Sequence, residues 1–379
     1  MKVLLLAENW PPRIGGIERY LTGIARSLPA GSVTVVAPRD LDARGSHEVP
    51  IIRRRFFWPG IKPSWLPLYF WLYRYVRREK IEVVLCGKAL FEGLAARWLK
   101  RHAGVPYVVF TYGTEIITWA GAAKERRTLE KVLREAHGIT FINAETRESL
   151  QQLGARDEQL VEAWPGVEER FFVRETPARV AQTLQRYQVT PPYILSVSRL
   201  IRRKGTDLLL EAFSNLDQTK FGTVTLVIAG EGPEQENLAQ LARHLFVEKS
   251  VVFTGRVDED DLPSLYQGAE LFALTPRMIA DDLEGFGIVY LEAAASGRAA
   301  IATVTGGVAS AVVDGETGLV VPPDSADEIK QALARLLTDR PLAQRFGEQA
   351  AARARGQFSW AKRIAVIAAV IDRAAIRKI

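Results

Sequence analysis

Short runs that are apolar along their whole length alternate with amphipathic stretches through this chain, and that alternation limits the fold more than any single motif. In the first half KVLLLAEN, SVTVVAP, VVLCG, YVVFTYG and ITFINA read as strands, with helical patterns between them at 17–28, 90–102, 124–137 and 145–153. A strand apolar on both faces has to be covered on both, which predicts a parallel sheet sandwiched between helices. At Thr190, Pro191 and Pro192 the chain breaks stiffly, and a second series opens at Tyr193: YILSVSRL, VTLVIAG, VVFTGR, LFALTP, AIATVTG and GLVVPP. The expected fold class is α/β, with two Rossmann-like, doubly wound domains facing each other across a cleft. The expected domains are 1–190 and 191–359, followed by a helical tail over 360–379 in which Ile364, Ile367, Ala368 and Ile371 share a face.

With 379 residues, 47% of them hydrophobic, the chain has enough apolar material for two cores. Its one cysteine, Cys86, sits in IEVVLCG and reads as a small buried side chain rather than a redox or metal group. The apolar run at the start stops at Glu8 and Asn9, so it reads as a first strand and not a secretion signal. No run approaches the roughly 18 apolar residues of a membrane span, and a cytoplasmic protein is expected.

The formal charge of +6, from 50 basic and 44 acidic residues, favours an anionic partner. Ile51 to Lys80 interleaves Arg53, Arg54, Arg55, Arg74, Arg77 and Arg78 with tryptophan, tyrosine and phenylalanine. Two readings stay open there. The segment lies on an anionic bilayer, arginines toward headgroups and rings toward acyl chains, or it is a packed helix with solvated arginines. Nucleic acid is not expected, since no zinc, helix-turn-helix or ribonucleoprotein pattern accompanies the charge.

PPRIGGIERY follows the first strand and runs straight into a helix. Gly15 and Gly16 there either bring backbone amides against an anion or simply make a tight turn. The loop lacks the third glycine of the dinucleotide fingerprint, and the chain has no Walker lysine. In SVSRLIRRKGTDLLLEAF, Arg199 ends a strand and Lys204 stands at the mouth of the next helix. Two cations on one such loop suit a diphosphate whose charge grows as a bond to it breaks; the alternative is a solvated charge run that includes Arg202 and Arg203. Backbone near Val257 can hold a flat base, while Asp258 to Asp260, spaced like the D-x-D of metal-dependent transferases, is expected to cap the following helix. No metal site is expected.

EGFGIVYLEAAASG adds two carboxylates in apolar surroundings. Glu284 precedes a helix, Gly285, Phe286 and Gly287 form a loop whose amides can meet a ligand, and Glu292 lies inside the helix on the face of Ile288. Carboxylates accept hydrogen bonds from vicinal hydroxyls, so the pair suits two polyol parts joined by a phosphate bridge. A nucleotide-sugar has that form, with Glu284 on the sugar, Glu292 on the ribose, and Arg199 and Lys204 on the diphosphate.

At this point the chain resembles the retaining GT-B glycosyltransferases of family 4 type. Glu284 and Glu292 form the family's E-x7-E signature, and Gly15 with Gly16, Arg199 with Lys204, DGETGLVVPP and FSW at 358–360 agree with it. TYGTE and EGFGIVYLEA are most similar to the branch of bacterial phosphatidylinositol mannoside mannosyltransferases. The resemblance implies transfer of a hexose with retention and without metal or other cofactor, GDP-mannose being the favoured donor and UDP-sugars or ADP-glucose the other candidates. The implied acceptor is a glycolipid or another small hydroxyl compound. Arg199, Lys204 and Glu284 would act at the reacting diphosphate and sugar. Backbone at Gly285, Phe286, Gly287 and Ile288 would cradle them, and Gly15 and Gly16 would border the reaction centre. The final helix would cross back to the first domain. Where the family usually carries a histidine, this chain has Tyr112, with Thr114 two residues on, and a tyrosine cannot serve as an imidazolium near pH 7. Two other functions stay open: a nucleotide-sugar 2-epimerase of the same architecture, and a nucleotide-sugar-binding protein without catalysis.

Overall fold

The computed structural model describes residues 1–13, 15–39, 49–220, 222–279 and 284–376, with the backbone alone at Thr114 and Gln218. The chain divides into two compact units. One is Met1–Gly166 with the C-terminal helix that begins at Trp360, and the other is Val167–Ser359.

The first unit is built on a seven-stranded parallel sheet of β1 (Val3–Leu6), β2 (Val33–Pro38), β3 (Ile51–Arg54), β4 (Val83–Cys86), β5 (Tyr107–Phe110), β6 (Gly138–Phe141) and β7 (Leu160–Glu162), in the order β3-β2-β1-β4-β5-β6-β7. Val3 pairs with Val33 on one side and Val83 on the other, so β1 is central. Every residue of β1, β4, β5 and β6 is buried, which is why these runs carry no polar alternation. Cys86 is wholly enclosed and burial pushes its thiol well above the ordinary range, the opposite of what a reactive thiolate needs.

The helix Trp360–Ile376 packs on the helix Gly16–Ser27 and against β4, β5 and β6. Ile367, Val370, Ile371 and Ala374 are its buried face, with Ile364 and Ala368 half-buried. Trp360 lies on Gly23, where an added Cβ would come within 1.9 Å of the ring, so only a glycine admits that indole. The last three residues of the tail lie outside the described residues.

The helix Leu66–Glu79 buries Leu68, Tyr69, Leu72 and Val76 on the first core. Trp65 and Tyr69 each meet Trp98 edge-on at 5.3 Å. On its outer side Arg54 lies 4.5 Å over Trp71, and Arg77 and Arg78 lie over Tyr73 and Tyr75. Most rings of the basic and aromatic segment are therefore spent on packing, and Phe70 stands out at 55% exposed. Among the described residues no helix is long and apolar enough to cross a membrane.

The second unit has six parallel strands, β8 (Tyr193–Val197), β9 (Thr225–Ala229), β10 (Val251–Gly255), β11 (Leu271–Leu274), β12 (Ala300–Thr303) and β13 (Gly318–Val321), ordered β10-β9-β8-β11-β12-β13. Its first elements precede the proline pair. Residues 167–190, assigned by sequence to the first domain, belong to this unit because its charges hold them there. Arg179 and Arg186 meet the buried Asp261 at 2.6 and 2.8 Å, Arg186 also meets Asp258 at 2.6 Å, and Arg170 reaches Glu259 at 3.3 Å and Asp260 at 3.5 Å. The same contacts correct the expected capping role of Asp258 to Asp260. The helix Leu262–Gly268 starts from Asp261 without a side-chain cap, and the acidic run instead binds arginines.

In both sheets the strand order reverses beside the first strand, between β1 and β4 and between β8 and β11. Such sheets bind ligands outside the carboxyl ends of the strands at that reversal.

Candidate functional site

The reversal in the second unit is where Lys204 and Glu284 meet. After β8 the chain makes a single 3-10 turn, Arg202–Lys204, closed by Gly205 at φ 64°. A Cβ on Gly205 would fall 1.9 Å from the Thr275 carbonyl oxygen, and the Thr275 hydroxyl donates to the Gly205 carbonyl at 2.8 Å. The loop after β8 is thereby pinned to the end of β11. From the other side, Gly307 N–H donates to the Glu284 carbonyl at 3.1 Å, and a Cβ on Gly307 would lie 2.1 Å from the Gly285 oxygen. Gly287, at φ 79°, then turns the chain into the helix Ile288–Ala295.

Glu284 is 7% exposed and its Oε2 accepts from Lys204 Nζ at 2.6 Å and Arg203 Nη1 at 2.7 Å. Burial acts to raise its pKa, but the two cations outweigh burial and hold the carboxyl below its ordinary value. Glu292 lies on the same helix, 3% exposed, and its Oε2 accepts from the Tyr266 hydroxyl at 3.0 Å. Phe286 is buried edge-on to Phe358 at 6.0 Å, Val257 is buried after β10, and Ile288 is half-buried.

Arg199 does not join this cluster in hydrogen-bonding terms. Its side chain is exposed and makes no ion pair among the described residues, while Arg203, read from sequence as one of a solvated run, takes the place beside Lys204. Sequence spacing could not reveal the Arg203 contact, because it depends on the tight 3-10 turn that aims 203 and 204 the same way. Gly307 and Tyr266 were also missed. The TGG after β12 is a local signal for a close backbone approach, whereas nothing in the sequence pairs Tyr266 with Glu292.

At the reversal of the first unit the buried carboxylates have no cation within ion-pair distance among the described residues. Glu92 Oε1 accepts from Glu8 N–H at 2.9 Å, and its Oε2 has no partner there. Burial pushes its pKa up to about 7, against the opposing pull of that N–H and of Lys88. Glu115 accepts from Tyr112 N–H at 2.6 Å and is likewise raised by burial to about 7. The Tyr112 ring stands edge-on to Tyr20 at 5.8 Å, and its buried hydroxyl has no hydrogen-bond partner among the described residues.

Gly15 is half-buried in extended backbone and Gly16, exposed, opens the helix. A Cβ on Gly15 would sit 2.5 Å from Glu18 Oε2, so the chain's own carboxylate fills the space beside that glycine. Asn9 Nδ2 donates to Glu18 Oε1 at 2.7 Å. Thr114 begins the helix Thr114–Gly121, and its side chain lies outside the description. Among the described residues no group of three histidine, cysteine or carboxylate side chains is placed to hold a metal ion.

Two family descriptions match, Glycosyltransferase Family 4 over residues 14–171 and Glycosyl transferases group 1 over residues 185–353. The chain is 31% identical over 380 residues, 98% of each chain, to the GDP-mannose-dependent alpha-(1-6)-phosphatidylinositol monomannoside mannosyltransferase of Mycolicibacterium smegmatis. The chain belongs to the family 4 glycosyltransferases. A second relative of this glycosyltransferase, the Mycobacterium tuberculosis (H37Rv) protein of the same description, is 32% identical over 95% of each chain. The structure of Anabaena HepE in complex with UDP and glucose superimposes with a TM-score of 0.82 at 20% identity, covering 98% of this glycosyltransferase and 99% of HepE. Its fold is GT-B, two doubly wound parallel α/β units.

Proposed function

We propose that this glycosyltransferase moves mannose from GDP-mannose to a hydroxyl of a glycolipid or small polyol, with retention at the anomeric carbon and without metal. The observation that carries this reading is the Lys204–Glu284–Arg203 cluster at the β8/β11 reversal. An incoming diphosphate finds two cations already fixed there, and one such pre-aimed donor is worth roughly 2.7 to 4 kcal/mol to a transition state that builds charge on the leaving group. Glu284 takes a hydroxyl of the transferred sugar. Glu292, oriented by Tyr266, takes the ribose hydroxyls, and the Gly285 to Ile288 backbone lies along sugar and phosphate. Arg199 supplies further positive charge from outside, Gly16 borders the donor, and Val257 faces the base. Gly15, Tyr112 and Thr114 lie on the acceptor side.

The bond from C1 to the phosphate oxygen breaks as the bond from C1 to the acceptor oxygen forms on the same face, and the acceptor proton passes to the departing phosphate oxygen. The choice of mannose and of a glycolipid rests on the activity of the mycobacterial relatives.

A lipid acceptor would be met at the cytoplasmic face of a membrane, with the exposed Phe70 and the exposed Arg74, Arg77 and Arg78 toward anionic headgroups.

The decisive experiment is calorimetric titration with GDP, UDP and ADP in the absence of metal, followed by transfer assays on anionic vesicles at low and high salt. GDP is expected to bind best, and the protein to sediment with vesicles at low salt only. Binding of none by folded protein would remove the donor site. Tight binding with neither transfer nor slow donor hydrolysis would leave a non-catalytic binding protein, and no sedimentation at low salt would point to a water-soluble acceptor.

A further inference from the structure

A cavity of about 760 Å³ opens in the second unit at the opposite ends of the strands from Lys204 and Glu284. Pro192, Val224, Leu271 and Ala299 line it, each at or just before the first residue of β8, β9, β11 and β12. Strands of four or five residues put it about 15 Å from the donor side, at roughly 3.3 Å per residue, so it is not part of that site. Its volume falls in the range of cavities that hold small molecules.

Its charge is one-sided. Four arginines, 174, 298, 340 and 355, line it against two glutamates, Glu270 and Glu348. Arg355 is engaged, donating to the Phe172 carbonyl at 3.1 Å and facing Glu169 at 3.6 Å. Arg298 donates to the Gln267 carbonyl at 2.6 Å, but its Nε is buried without a partner among the described residues. Burial lowers the Arg298 pKa, against the pull of Tyr193 and Glu270, so the charge is kept there at a cost. Arg174 and Arg340 make no ion pair or side-chain hydrogen bond among the described residues, and both are exposed at the cavity.

A solvated charge run would stand on a polar surface. Here the arginines rim an apolar floor that includes the half-buried Phe172 and the exposed Val173 together with the buried Phe171, Leu336 and Leu337. The helix Ile288–Ala295 also ends at the cavity, and its terminal carbonyls contribute about half a negative charge. Half a charge does not offset an excess of two arginines.

We propose that this cavity is a second anion site, taking a small organic phosphate whose charge meets Arg174, Arg298 and Arg340 while its apolar part lies on Phe172 and Val173. Bidentate arginine contacts supply the phosphate recognition, and the aromatic floor separates an organic ester from the free ion.

The test is calorimetric titration with phenyl phosphate and with inorganic phosphate of the wild type, of Lys204→Ala, which alters only the donor side, and of the double variant Arg174→Ala/Arg340→Ala. Phenyl phosphate is expected to bind wild type and Lys204→Ala equally, inorganic phosphate to bind more weakly, and the double variant to lose at least about tenfold in affinity. Arg340→Glu, at an exposed position, gives the same loss without relying on the double change. No saturable binding overturns the proposal. So does binding that disappears in Lys204→Ala and survives in the double variant, since that ligand would occupy the donor side.

Discussion

At the reversal between β8 and β11 the buried carboxylate Glu284 is met by two cations, whereas at the reversal between β1 and β4 the buried carboxylate Glu92 is met by one backbone amide. The strand topology is the same at both places. The first carboxyl is held below its ordinary pKa and the second is raised to about 7, so near neutral pH Glu284 is a fixed charge while Glu92 is only about half ionised. Burial alone drives both in the same direction, and the sign is decided by whether a cation stands within about 3 Å. A parallel sheet therefore says where a ligand goes, and a handful of loop residues says what charge that ligand carries.

The largest expected effect comes from breaking the charged side. Lys204→Ala is expected to lower kcat/KM by a hundredfold or more, because under the proposed function it removes a donor to the leaving diphosphate while Arg203 still satisfies Glu284. Steady-state kinetics on protein with an unchanged circular dichroism spectrum measures this, and an unaltered kcat/KM would erase the functional contrast between the two crevices.

Next in size is a pH effect at Glu92. Because the folded pKa of Glu92 lies above that of the unfolded chain, its contribution is fully present below about pH 4.3 and is lost as pH rises through 7, amounting to up to about 3 kcal/mol. Glu92→Gln should then flatten the fall in stability between pH 5 and pH 8, as read from denaturant midpoints. A variant that keeps the wild-type slope would mean that Glu92 stays ionised.

The smallest effect sharpens the comparison. The Tyr112 hydroxyl is buried without a protein partner among the described residues, so Tyr112→Phe should leave the melting temperature unchanged or slightly higher. If that hydroxyl serves a bound sugar or acceptor, the same variant raises KM by up to about tenfold. An unchanged KM would take Tyr112 out of the site.

The fold was legible because β1, β4, β5, β6 and β8 are buried on both faces and so carry no charged residue to disguise them. The boundary was not, because Pro191 and Pro192 break the chain visibly while the attachment of 167–190 is made by arginines to the acidic run 258–261, some 75 to 90 residues later. In the candidate site, Lys204, Glu284 and Glu292 were picked out by type and position. Arg203 was passed over as one of a solvated run, since a run of three basic residues does not show which of them a 3-10 turn will point inward.

The chain passes from one unit to the other at Gly166–Val167 and again at Ser359–Trp360, and these two passages lie side by side, with Val167 N–H donating to the Phe358 carbonyl at 2.7 Å. The second unit is a single continuous stretch, but the first needs both ends. During synthesis the second unit can be complete while the groove at Gly23 and Gly166 still waits for Trp360. A ribosome must therefore make nearly the whole chain before the unit it began with can close, and late truncations fall on the earliest-made half.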